Sequence, residues 1–267
     1  MNTIRRRWSA GEPAFGAWCT IPSSLAAEIM GQLGFDWVCV DLQHGLAGLE
    51  SAAPMLQAIT AAGPVPLVRV PANEPWLIMR ALDLGASGVV IPLVGTAEEA
   101  ARAAAACRYP PDGVRSWGPV RTSPALGGDS GERNERVLCL VMVETRDGVE
   151  NLDAICAVPG VDGVYVGPRD LALSHGLSPG PELDGLIEHI AATCRLHGVP
   201  PGIHARSGES ARAYAEAGFL FASVATDREL LARVSRAELA AALGREPAPE
   251  PVSPGGVLRA AVSYVAP

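Results

Sequence analysis

Four short stretches of the sequence each place one polar, chemically capable residue where an apolar run ends. The stretches are DLQHG (41–45), VPLVRVP (65–71), VMVET (141–145) and VGPRDL (166–171), and the polar residues are His44, Arg69, Glu144 and Asp170. If the four runs are neighbouring parallel strands of a barrel, these side chains converge at its carboxyl end, where such folds keep their active sites. The set would supply a divalent metal site, an anion clamp and an acid/base.

Glu144 and Asp170 form the strongest pair, because they close one predicted strand and follow the next. Adjacent strands lie only about 4.8 Å apart, so the two carboxylates can share an ion. Oxygen ligands without a matching His or Cys favour a hard cation, Mg²⁺ or Mn²⁺, that keeps open positions for water and substrate. The alternative is a pair of surface carboxylates that cap loops.

Arg69 interrupts an otherwise apolar strand. A guanidinium in that position is costly unless it has an anionic partner, which is either a structural carboxylate or a substrate. We favour the substrate, because the guanidinium would bind a carboxylate and stabilise a developing oxyanion beside it.

His44 follows Asp41 by three residues, so their side chains can meet only if the chain turns before Gly45. A carboxylate partner would orient the imidazole and raise its basicity, making His44 a general base near neutral pH. A structural histidine is the alternative. We expect no functional role for the other histidines, which are His175, His189, His197 and His204.

All 21 basic residues are arginine, and the chain contains no lysine. An enzyme that forms a Schiff base with a carbonyl substrate needs a lysine amine. Any carbonyl chemistry here must therefore stabilise its carbanion differently, and a metal ion is the obvious substitute.

Eight apolar runs alternate with helix-like segments along the chain. The runs cover 15–20, 35–42, 65–70, 88–94, 137–144, 160–167, 200–205 and 220–226. This alternation predicts parallel strands joined by crossover helices, in a single-domain (β/α)8 TIM barrel over residues 1–245. An open doubly wound sheet is the alternative, but the glycine-rich fingerprint expected after its first strand is missing.

Two segments do not fit the repeat. Residues 108–136 are long and polar for a connection, which predicts a lid or a substrate wall. Residues 246–267 read as a proline-rich tail that either packs on a neighbouring subunit or is disordered.

Composition excludes several classes of protein. A hydrophobic fraction of 48% with 19% charged residues is typical of a globular chain. The net charge of −8, without basic clusters beyond residues 5–7, argues against nucleic acid as a partner. The apolar runs are too short to cross a membrane, and the basic start is followed by no apolar export segment, so we expect a cytoplasmic protein.

The motifs closely resemble the HpcH/HpaI family, the class II pyruvate aldolases typified by 4-hydroxy-2-oxoheptanedioate aldolase. The resemblance covers nearly the whole predicted barrel, to about residue 240. Its motifs are FGAWCT, DLQHG, RVPANEP, IPLV, RYPPDGVRS, VETRDGVENLDAI and GVDGVYVGPRDLA.

This resemblance implies a metal-dependent aldolase that binds pyruvate and uses Mg²⁺ or Mn²⁺, with Co²⁺ as a further option and no organic cofactor. Glu144 and Asp170 would be the metal ligands. His44 would remove the proton of a 4-hydroxyl group, directly or through water, and Arg69 would stabilise the enolate left by cleavage of the C3–C4 bond. Asp83 would be a supporting acid near the site, supplied either by the same chain or across a subunit interface. Family members are typically hexamers, so the resemblance also implies a homo-oligomer, a hexamer or trimer of dimers.

Three residues depart from the family pattern: Gln43 where Glu is common, Met142 where a substrate-contacting Gln is common, and Arg169 where a small residue is usual. The expected substrate-binding set is Arg69, Met142, Gly167, Pro168, Arg169 and Asp170. These departures keep other functions open. They are oxaloacetate decarboxylation with enolate capture, cleavage of a CoA thioester, and a catalytically idle relative that binds a 2-oxo acid.

Overall fold

Eight parallel strands close into a barrel in the computed structural model, which describes residues 3–118, 121 and 129–246. The strands are β1 Ala14–Cys19, β2 Trp37–Asp41, β3 Val65–Arg69, β4 Gly88–Ile91, β5 Leu138–Val143, β6 Gly163–Val166, β7 Pro201–Ile203 and β8 Phe221–Thr226. Each strand pairs with the next along the chain, and β8 pairs with β1. The predicted (β/α)8 fold is confirmed.

Helices connect the strands and cover the outside of the barrel. They are α1 Thr3–Ser9, α2 Ser24–Gly31, α3 Leu49–Ala62, α4 Pro75–Asp83, α5 Ala97–Cys107, α6 Ser130–Arg136, α7 Arg146–Glu150, α8 Leu152–Cys156, α9 Pro168–His175, α10 Pro181–Leu196, α11 Gly208–Glu216 and α12 Asp227–Ala242. No helix in the described ranges combines the length and apolar character that crossing a bilayer requires.

Strand register brings the polar strand ends to a common level. Asp41 pairs directly with Arg69 at the last position of β2 and β3. Val143 pairs with Val166 at the last position of β5 and β6. The residues that follow these two valines, at the start of the next loops, therefore leave the barrel side by side.

The barrel interior is an aromatic core, separate from the aliphatic layer between strands and helices. The rings of Trp37 and Phe221 are stacked with centroids 4.2 Å apart, and Trp18 meets Trp37 edge to face at 6.2 Å. A Cβ on Gly16 would collide with the Trp37 ring, so glycine in β1 makes room for the stack. These large rings pack the barrel interior, and barrels of this kind carry their active sites at the carboxyl end.

Helix α1 closes the opposite, amino end of the barrel. Its Ile4 is fully buried, and Trp8 packs edge-on against Phe221 with ring centroids 6.0 Å apart. The Trp8 indole also donates a hydrogen bond to the carbonyl of Leu220 at 2.8 Å. This helix was not predicted from the sequence.

In the part of residues 108–136 that the structure describes, the predicted lid or substrate wall does not lie over the site of its own barrel. The segment links the end of α5 to the start of β5, and both lie at the amino end of the barrel, away from the carboxyl end. Residues 119, 120 and 122–128 of the segment lie outside the described residues. The same holds for residues 247–267 of the predicted tail.

Candidate active site

A buried ion pair joins β2 to β3 at the carboxyl end of the barrel. The Arg69 Nε donates to Asp41 Oδ1 at 2.9 Å, and Nη2 donates to Oδ2 at 2.6 Å. Burial alone would raise the pKa of Asp41, but the hydrogen bonds and charge of Arg69 outweigh it and lower the pKa below its ordinary value. The pair is therefore ionised at neutral pH, and the guanidinium is fixed in orientation by two parallel hydrogen bonds.

Asp41 does not orient the imidazole of His44, so that prediction is wrong. Its Oδ1 accepts hydrogen bonds from the backbone N–H groups of Gln43 at 3.0 Å and His44 at 3.2 Å. The same carboxylate is the anionic partner of Arg69, where we had favoured a substrate. Because the chain turns directly after β2, its backbone N–H groups rather than the His44 ring reach Asp41. The His44 side chain is exposed at the rim of the barrel.

Trp18 forms the floor of the site beneath Arg69. The Arg69 guanidinium carbon lies 4.7 Å from the centroid of the Trp18 ring, a cation–π distance. The same ring packs at 5.3 Å against His204, whose Nδ1 is 3.3 Å from the Tyr165 hydroxyl. Sequence reasoning missed His204, because its contacts come from strands β1 and β6, distant in sequence.

Glu144 directly follows β5 and is almost fully buried, at 2% exposure. Its Oε1 accepts a hydrogen bond from the Leu93 backbone N–H at 3.0 Å. Leu93 has a φ of 57°, a left-handed conformation that is uncommon for leucine. Burial raises the pKa of Glu144 to about 7, and the Asp170 charge adds to the rise, while the Leu93 N–H and the Arg69 charge oppose it.

Gly167 and Pro168 bring α9 against Glu144. A Cβ on Gly167 would collide with Glu144 Oε2, so glycine at this position accommodates the Glu144 carboxylate where it lies. Pro168 is the first residue of α9, and exposed Arg169 and Asp170 follow in its first turn. Backbone N–H groups in a first helical turn have no partner within the helix and attract anions. Sequence reasoning missed α9.

Met142 lies in the barrel interior beside Gly167, whereas Asp83 lies at the opposite end of the barrel. Met142 is as buried as Glu144, at 2% exposure, and its side chain lies beside Gly167, so its contact with substrate stays a prediction. Asp83 ends α4, which runs from the carboxyl end of β3 back to the amino end of β4. There it accepts a hydrogen bond from Arg115 Nη2 at 2.8 Å. Within one chain Asp83 therefore cannot reach the other predicted site residues, and its role across an interface stays a prediction.

Glu144 and Asp170 are the residues best placed to hold a cation. Asp170 lies in the first turn of α9, and its charge contributes to the raised pKa of Glu144. Across the described ranges, no cluster of three or more His, Cys, Asp or Glu side chains is arranged as a metal site. A hard cation that takes two carboxylates and completes its shell with water or substrate oxygens fits this set.

We predict that Asp41 and Arg69 are strongly coupled in their contributions to the free energy of unfolding. Asp41→Asn should leave the guanidinium buried without a full counter-charge and lower the free energy of unfolding by about 3 kcal/mol. The double variant Asp41→Asn with Arg69→Met should lose clearly less than the sum of the two single variants. Denaturant titration of all four proteins measures this difference, and additive losses would show that the pair carries no such coupling.

We predict that the metal-free protein loses stability as pH rises from about 4.5 to about 7, the range between the ordinary and folded-state pKa values of Glu144. The folded protein binds the proton of the Glu144 carboxyl group more tightly than the unfolded chain does. The protonated carboxyl group therefore contributes about 3 kcal/mol to the free energy of unfolding at low pH, and this contribution is lost as Glu144 ionises. Glu144→Gln should remove this part of the slope. Unfolding titrations in EDTA at several pH values test it, and equal slopes for both proteins would contradict it.

Comparison with known proteins identifies the family. A family model described as HpcH/HpaI aldolase/citrate lyase matches residues 15–233. The hydroxypyruvate/pyruvate aldolase of Rhizorhabdus wittichii is 39% identical over 246 residues, which cover 90% of this chain and 98% of that protein. The 5-keto-4-deoxy-D-glucarate aldolase of Klebsiella pneumoniae subsp. pneumoniae is 38% identical over 232 residues, 85% of this chain and 91% of that one.

A solved structure agrees with these sequence relatives. The crystal structure of an HpcH/HpaI aldolase/citrate lyase family protein from Burkholderia cenocepacia J2315 matches with a TM-score of 0.83 at 35% identity, covering 91% of this chain and 100% of that chain. The relatives confirm the predicted enzyme class, a carbon–carbon lyase of the aldolase type. The chain belongs to the HpcH/HpaI aldolase/citrate lyase family.

Proposed function

We propose that this protein is a metal-dependent, class II aldolase that makes or cleaves the carbon–carbon bond between the enolate of a 2-oxo acid and an aldehyde. Its substrates in the cleavage direction would be 4-hydroxy-2-oxo acids. The observation that carries the proposal is the pair of carboxylates, Glu144 and Asp170, beside a guanidinium that Asp41 fixes in orientation. Two relatives named as aldolases support the reaction type.

Glu144 and Asp170 would hold the cation, which we propose to be Mg²⁺ or Mn²⁺, with Co²⁺ as a further option. Two facing carboxylates are unfavourable when both are ionised, and a cation between them would relieve that repulsion. When bound, the metal would act as a Lewis acid that polarises the substrate carbonyl. Glycine at 167 keeps the space beside Glu144 open for this arrangement.

Arg69 would stabilise the negative charge that develops on the substrate. Its Nε and Nη2 are occupied by Asp41, so Nη1 remains to donate a hydrogen bond. A donor held in place before the reaction stabilises an enolate oxygen without a reorganisation cost. The first-turn amides of Arg169 and Asp170 would bind the substrate carboxylate.

His44 would be the acid/base of the reaction. Its backbone N–H is fixed by Asp41, while the exposed ring forms no hydrogen bond with any described residue. In cleavage the ring would take the proton of the 4-hydroxyl group, directly or through water. The C3–C4 bond then breaks, its electron pair goes to the enolate, and protonation of the enolate at C3 releases the 2-oxo acid.

We also propose that the enzyme works in the cytoplasm as a homo-oligomer, a hexamer or trimer of dimers. Asp83 lies at the amino end of the barrel, so it could assist only the site of a second copy of the chain. Pairing with Arg115 holds the Asp83 carboxylate in a fixed position at this end of the barrel.

Pyruvate release from a panel of 4-hydroxy-2-oxo acids tests the proposed function. The purified protein should release pyruvate with added Mg²⁺, Mn²⁺ or Co²⁺, and EDTA should stop the release. Glu144→Gln, Asp170→Asn and His44→Ala should each lower kcat/KM by at least about a hundredfold, the range for removing an acid/base or a charge-stabilising group. Exposed His189, on the outer helix α10, supplies the control variant His189→Ala, which should keep full activity.

No release across the panel with all three metals would remove the aldolase proposal. Turnover of oxaloacetate, or binding of CoA, would identify one of the other enolate reactions instead. An idle relative would bind pyruvate in a metal-dependent manner without exchanging its methyl protons with solvent.

A further inference from the structure

His204 is a polar residue at the site that the proposed reaction does not use. It directly follows β7 and is partly exposed at the carboxyl end of the barrel. Its Nδ1 is 3.3 Å from the hydroxyl oxygen of Tyr165, which is fully buried in the barrel interior. The Nδ1 edge of the ring therefore faces the core, and the exposed opposite edge, which carries Nε2, faces the mouth.

His204 lies on the same ring as Arg69, which under the proposed function meets the 2-oxo acid rather than the entering aldehyde. Its ring and the Arg69 guanidinium both lie against Trp18, at 5.3 and 4.7 Å between centres. His44 and Arg169, in contrast, are exposed on the rim. A substrate that meets Arg69 at this level lies across the same floor as His204.

The surroundings of His204 keep its ring neutral. Burial lowers the pKa of His204 to about 4, and the positive charges of Arg69 and Arg206 act in the same direction, against that of Asp41. A neutral imidazole can bond a hydroxyl group through Nε2 in either tautomer, because a hydroxyl both donates and accepts a hydrogen bond. A carboxylate could be bonded in only one of the two tautomers.

We propose that His204 is a specificity-determining residue whose Nε2 hydrogen-bonds a hydroxyl group on C3 of the 2-oxo acid, so that a 3-hydroxy-2-oxo acid is preferred over its unsubstituted analogue. The inference rests on the proposed aldolase function and names the substrate class for its deep subsite. Tyr165 is the positioning residue, since it fixes the other ring nitrogen.

The test compares hydroxypyruvate with pyruvate, using one aldehyde acceptor throughout. His204→Phe keeps an aromatic ring against Trp18 but removes Nε2, so the kcat/KM ratio of hydroxypyruvate to pyruvate should fall about three- to tenfold, the worth of one neutral hydrogen bond. Its kcat/KM for pyruvate should stay within about twofold. His204→Gln places an amide nitrogen near the Nε2 position and should restore most of the ratio.

Two matched controls separate this role from a structural one. His189→Phe makes the same substitution on the exposed surface of α10 and should leave the ratio unchanged. Combining Tyr165→Phe with His204→Phe removes both ends of the buried hydrogen bond and should lower the ratio as far as His204→Phe alone. If His204→Phe leaves kcat/KM unchanged for both substrates, or lowers it by the same factor for both, their ratio does not change and the inference is wrong.

Equilibrium binding distinguishes failure of this inference from failure of the proposed function. Calorimetric titration of hydroxypyruvate and of pyruvate in the presence of Mn²⁺ gives an affinity ratio that needs no turnover. A ratio that falls in His204→Phe supports the inference even if the wild-type protein cleaves no substrate. A ratio that stays the same overturns it even if aldol cleavage is fast.

Discussion

The buried ion pair between Asp41 and Arg69 is the interaction on which the rest of the site depends. It joins the last residues of two adjacent strands and lies on the Trp18 ring of a third, so these contacts link three strands. A charged pair in this position costs desolvation, and replacing such pairs by apolar residues is often neutral for stability. We interpret it as a device for orientation, because it holds a guanidinium rigidly where negative charge is proposed to develop.

The unfavourable surroundings of Glu144 are also explained by function rather than by stability. Burial and a neighbouring carboxylate both disfavour ionisation of Glu144, and Leu93 adopts a left-handed backbone conformation to direct its N–H at the carboxylate. Strained residues of this kind persist where the surrounding structure fixes them, and they cluster at functional sites. A divalent cation would turn the unfavourable pair of carboxylates into a favourable one, which fits a site built to bind metal rather than to be most stable without it.

The sequence predicted the barrel because the alternation of eight apolar runs with amphipathic segments is a signal repeated over the whole chain. Prediction from the sequence failed for short helices and for contacts between residues that are distant in sequence. Helices α1 and α9 are only seven and eight residues long, too short for a clear periodic pattern. Asp41 was assigned to its sequence neighbour His44, whereas its partner lies 28 residues further on, at the same level of the next strand.

Sequence position also does not say which end of the barrel a residue occupies. Asp83 and the segment after α5 both follow helices that return to the amino end, so neither can approach the carboxyl end of its own barrel. Met142 sits in a strand that reaches the site, and its side chain lies in the barrel interior beside Gly167. Nothing in the sequence marked His204 as a site residue. The fold nevertheless brings it into contact with Trp18 and Tyr165.

The central claim is that Glu144 and Asp170 together bind one divalent cation. Anomalous diffraction from crystals soaked in Mn²⁺ tests it most directly, with binding titrations of Glu144→Gln and Asp170→Asn in solution. The account predicts one manganese ion within about 2.3 Å of an oxygen of each carboxylate, and a loss of affinity in both variants. A manganese ion bound elsewhere, or unchanged affinity in either variant, would contradict it.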